Sequence, residues 1–161
     1  MKISIISSIL IIAMLFESCA ITSSNNTKKS DNHYKAEIPD VGYIMLPKDI
    51  SVIEKDGVIY LHSTQNESSS PIMAGIYSDT HYGETLSSLL GKDTLFIKTL
   101  SSETLSNSAI IGTQQYLIDS QLTNIHFFDL YSSNKKICFF DLSGTVEYDV
   151  IISIAKSFVM S

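Results

Sequence analysis

Three residue types in this chain could carry chemistry: the histidines, a pair of aspartates and two isolated cysteines. His62, His81 and His126 stand apart, and no two share the short spacing that places metal ligands on one helix face or hairpin. His81 precedes Tyr82-Gly83-Glu84 at a strand-to-helix junction, the position of a solvated loop side chain. His126 adjoins Phe127 and Phe128, as a core or interface histidine would. Asp129 and Asp141 are more suggestive. Each follows two phenylalanines and precedes a leucine. Two carboxylates on one face can share a proton or hold a cation. Whether these two share a face depends on strand register, because a one-residue slip reverses every side chain. Cys138, between Ile137 and Phe139, lacks the basic neighbour that would activate a thiolate, and reads as a buried small apolar residue. No Gly-x-Ser-x-Gly elbow and no glycine-rich phosphate loop occurs. The sequence therefore nominates no catalytic, cofactor-binding or metal residues, and no cofactor.

Cys19 is the one residue with a specific context. Met1-Lys2 gives a positive start, residues 3–16 are apolar apart from serines, and Phe16-Glu17-Ser18-Cys19 follows. This has the length and flanks of a secretory leader and is short for a membrane span. A cysteine after a small residue at the end of such a leader resembles the bacterial lipoprotein box. Residues 1–18 are then a signal peptide, cleaved before a lipidated Cys19. Several fatty chains anchor stably, since each buried methylene contributes about 0.8 kcal/mol. Residues 19–36 are polar and read as a flexible tether. Residues 37–161 form a single domain. With Cys19 lipidated, Cys138 has no disulfide partner.

The formal charge is −6, from 17 acidic and 11 basic residues, and every basic residue is lysine. Without arginine there is no guanidinium fork for phosphate or carboxylate. The acidic balance disfavours nucleic acid, whose binding needs a positive patch.

These side chains need a scaffold, and residues 124–142, NIHFFDLYSSNKKICFFDL, dominate it. Two aromatic and β-branched runs, 125–131 and 137–142, flank a polar turn at Ser132–Lys135, the signature of a hairpin. Both faces of both runs are largely apolar, as in strands covered on two sides. Upstream, residues 43–46, 50–53, 58–62, 72–77 and 109–119 read as strands, with Asp56-Gly57 as a turn. Leu86, Leu89, Leu90, Ile97 and Leu100 recur at helical spacing and predict a helix over 82–100, weakened at Gly91, with a loop over 101–108. Residues 145–159 predict a terminal helix capped by Thr145, whose stripe is Val146, Val150, Ile151, Ile154, Ala155 and Phe158. The expected class is α+β, an antiparallel sheet covered by helices.

That order resembles the PsbP-like and Mog1-like family of α/β/α sandwich domains, which includes small bacterial lipoproteins and the lumenal extrinsic subunit of photosystem II. The resemblance rests on Gly42-Tyr43-Ile44-Met45-Leu46-Pro47, the helix near Leu86–Leu90, the three strands of 109–142, and the closing Ala155-Lys156-Ser157-Phe158. Members often place a tryptophan after the first proline; here none exists, and Ile50 is the nearest apolar residue. The resemblance implies an α/β/α sandwich with a non-enzymatic binding or assembly role, and transfers no site residues. The expectation is a lipid-anchored protein of the bacterial envelope or periplasm, touching the membrane through Cys19 and binding another envelope protein. An inhibitor or immunity-type lipoprotein that neutralises a toxin, and a small envelope hydrolase, are the alternatives.

Overall fold

The computed structural model describes residues 32–161, apart from 65–69, 80 and 92. Cys19, the segment read as a signal peptide and most of the segment read as a tether lie outside the described residues. Strand β1 (His33–Ile38) pairs antiparallel with β2 (Gly42–Pro47) around Asp40, which takes φ 59°. The first described strand thus starts at His33, within the segment read as tether. Next come β3 (Ile50–Lys55) and β4 (Val58–Ser63). Asp56 and Gly57 join them with φ 53° and 76°, the double positive φ of a type I′ turn, whose twist matches that of the strands. β5 (Met73–Tyr77), β6 (Thr94–Thr104), β7 (Ile110–Ile118), β8 (Gln121–Tyr131) and β9 (Lys136–Asp141) complete a seven-stranded antiparallel sheet in the order β3-β4-β5-β9-β8-β7-β6. β8 and β9 are joined through Ser132–Lys135, where the Ser132 amide donates to the Lys135 carbonyl at 2.8 Å. Both lie inside the sheet, which explains their two apolar faces.

One face of the sheet carries the larger core. Phe128 and Phe139 stack there at 4.7 Å. Over them lie α2 (Tyr148–Lys156) and a second sheet, β1-β2-β10, whose last strand is Val159–Met160. The other face carries a smaller core of Ile76, Tyr116, Ile125, Phe127, Cys138 and Phe140, with Leu86 of α1 (Tyr82–Leu90) packed on it.

The α+β assignment and the α/β/α sandwich are therefore corrected. Strand accounts for 55% of the structure and helix for 15%, in two short helices, so the fold is β-rich. The expected helix over 82–100 stops at Leu90. Gly91 takes φ 130°, which L side chains rarely adopt, and β6 follows. Ile97 and Leu100, which matched the helical period, are exposed strand residues, and the expected loop at 101–108 is strand as far as Thr104. The terminal helix is also shorter than expected. Glu147, not Thr145, stands at its start; Val146 and Phe158 pack on the core from outside it.

Candidate functional site

The register places the two aspartates on opposite faces. Tyr131 pairs with Lys136, Asp129 with Cys138 and Phe127 with Phe140, so Asp129 belongs to the smaller core's face and Asp141 to the larger's. Asp141 Oδ1 accepts from the Ser143 amide (3.1 Å), the Ser143 hydroxyl (2.9 Å) and the Gly144 amide (2.9 Å), and so shapes the turn after β9. His81 is exposed, its Nδ1 3.7 Å from Glu84. The His126 Nδ1 lies 2.9 Å from the Thr113 hydroxyl, and its ring packs at 4.8 Å on Tyr148, fastening the first turn of α2 to the sheet. His62 tilts against Tyr60. None of these groups converge, and among the described residues no three His, Cys, Asp or Glu side chains could hold a metal.

A polar cluster is instead built around Asp129, 5% exposed. Its Oδ2 accepts from Lys136 Nζ at 2.7 Å and from the Tyr131 hydroxyl at 3.2 Å. Its Oδ1 is buried with no N–H or O–H donor among the described residues. The Cys138 thiol lies beside it, with the Tyr82 hydroxyl next to the sulfur. Burial pushes the Cys138 thiol well above its ordinary range, and the Asp129 charge pushes it further. Burial likewise raises the Tyr82 and Tyr116 hydroxyls. Burial pulls the Lys136 ammonium down, but the hydrogen bond and charge of Asp129 outweigh it and leave Lys136 raised. At neutral pH the cluster is thus a paired lysine and carboxylate beside a protonated thiol, the reverse of what a nucleophile needs. Sequence reading missed it: the turn was identified, but not its register, which pairs Tyr131 with Lys136 and opposes Asp129 to Cys138.

Two surface features remain. A groove of about 240 Å³ runs between the small sheet and α2, lined by Met45, Pro47, Val150 and Ile154, with His33 and Asp149 supplying its ionisable groups. At the far end of the large sheet, cross-strand pairing sets Leu95, Leu117 and Leu122 in one row. Leu95 is 59% exposed and Leu122 65%. Phe96 stands on the opposite face, edge-on to Tyr116. A contiguous apolar row in water is costly, and such rows mark contact surfaces. No family model matches the chain, and no curated protein matches it either.

Proposed function

We propose that this chain is a lipid-anchored bacterial envelope protein, held through Cys19, whose folded domain binds another envelope protein without catalysis. The observation that carries the reading is the row of exposed Leu95, half-buried Leu117 and exposed Leu122. It lies on the sheet face that, nearer its centre, is covered by α2 and the small sheet. Desolvating that row against a partner would contribute about 25 cal/mol per Å² of apolar surface. The leader and lipobox residues support the anchor, and the separation of Asp129, Asp141, His81 and His126, which do not converge in one pocket, supports a binding function over a hydrolytic one.

The test is in-place crosslinking of the lipidated protein in its own envelope, with wild type and Leu122→Glu in parallel. The wild type yields one discrete adduct with another envelope protein, and the variant loses it while remaining folded. An adduct unchanged by Leu122→Glu, or none at all, rejects the row as the docking surface. Mass spectrometry of the mature N-terminus tests the anchor independently: Cys19 carries the lipid mass, and an unmodified cysteine rejects it.

A further inference from the structure

We propose that β6 is a pairing edge for a second copy of this chain, and that two copies join antiparallel through it into one continuous sheet. The proposal concerns the open backbone edge, not the leucine row, and does not depend on a heterologous partner. Among the described residues β6 is the last strand of the large sheet and bonds only to β7, so its outer amides and carbonyls have no strand beside them there. Such an edge is a template for a further strand. The opposite edge is protected as edges usually are: β3 has six residues and ends on Glu54-Lys55. β6 has eleven, and exposes Leu95, Phe96, Ile97 and Leu100.

Charge identifies the occupant. Lys98 pairs with Gln115 and Glu103 with Ile111, which sets both on one face of the sheet. Both are exposed, and neither forms an ion pair among the described residues. The bulge at Leu100-Ser101 fills one ladder position; let it face its own copy across a two-fold axis normal to the sheet. Thr99 then faces Ser102 of the second copy, and Lys98 faces Glu103. The axis repeats each pair, so two opposite-charge pairs form, all with matched faces. A register centred on Lys98 would oppose lysine to lysine, which is unfavourable. A self-complementary patch is what a two-fold interface requires. The register shift at Leu100 lies at this axis, and it is what brings Lys98 and Glu103, five positions apart, onto one face.

Sedimentation of the purified full-length chain in detergent, over a concentration series, tests this. Wild type should pass from monomer to dimer in the micromolar range. Lys98→Glu and Glu103→Lys should each weaken the dimer about tenfold or more, since each turns both pairs repulsive. Mixing the two variants restores attraction at both pairs, and a heterodimer should form. Both sites are exposed, so circular dichroism should show native folding in each. A chain that stays monomeric throughout overturns the proposal, even if β6 then binds a strand of another protein. So does a dimer indifferent to both substitutions, which would report detergent or another surface. Leu122→Glu should dimerise normally, which separates this result from that of the docking row.

Discussion

Cys138 shows how a single side chain couples the fold to pH. Its thiol is buried beside Asp129, so the folded chain holds that proton well above the ordinary 9.0 at which an unfolded chain releases it. The folded pKa is the raised one. The stabilising contribution is therefore complete below about pH 9 and is lost as pH rises further, at about 1 kcal/mol per pH unit for one proton. Six tyrosines are raised from 10.0 as well and add to the loss from about pH 9 upward, so the share of the thiol is read by comparison with Cys138→Ala, which keeps them all. Denaturant unfolding across that range should show wild type losing stability more steeply than Cys138→Ala. Parallel losses would mean that the thiol is not the source. The neighbourhood of Cys138 was half legible in the sequence. The turn at Ser132–Lys135 was legible, but not the register that separates Asp129 from Asp141, because a one-residue slip reverses every face. The turn does not reveal that Tyr82, some fifty residues upstream, closes over the sulfur. Nor does it reveal that Lys136 turns inward to Asp129 while Lys135, one residue earlier, reaches out to Asp40.

Among the elements, α2 was the more legible helix, because its partner surface is the hairpin directly before it. Ile151, Ile154 and Ala155 are buried as their spacing predicts. Its end was not legible: Asn107, in the β6–β7 turn, donates to the Ala155, Lys156 and Phe158 carbonyls. That clamp satisfies groups a helix C-terminus would otherwise leave open, and no local pattern announces it. Beyond it the chain leaves the helix and pairs with β2. There Gly42 faces the Val159 carbonyl so closely that an added Cβ would lie 2.2 Å from the oxygen. Truncating Ile154 to alanine should cost about 2–5 kcal/mol, and Lys156→Ala less than about 0.5 kcal/mol, as read by denaturant melts. If the two melt alike, α2 does not pack through this stripe. β6 was misread because Ile97 and Leu100 continue a helical period across Gly91 by coincidence. The run Thr94-Leu95-Phe96-Ile97 has strand propensity, and β7, its neighbour in the sheet, supplies the hydrogen bonds that decide the matter.

The folded unit from Asp31 on has its large sheet between two unequal covers. Among the described residues, twenty buried side chains form the core beneath α2 and the small sheet, and seven form the core on the α1 side, so the two faces should not resist opening equally. α1 has nine residues, below the length at which an isolated helix is stable in water. It has no side-chain cap at His81, and Leu86 is its only buried residue among those described. Its persistence therefore depends on packing against Tyr116, Phe140 and their neighbours. β9 and residues 125–130 of β8 are bonded on both edges and covered on both faces, so their amides have no route to water short of large-scale unfolding. Native-state hydrogen exchange should accordingly resolve two tiers. Amides of β5, β9 and residues 125–130 of β8 exchange with the global unfolding free energy and its full denaturant dependence. Amides of α1 exchange through a smaller opening with a weaker denaturant dependence, because lifting one short helix exposes little surface. Labelling of Cys138 by a thiol reagent should follow the lower tier, since α1 brings Tyr82 over the sulfur. Protection of α1 equal to that of β9, with Cys138 reacting only on global unfolding, would make the two covers a single cooperative unit and refute the two-tier reading.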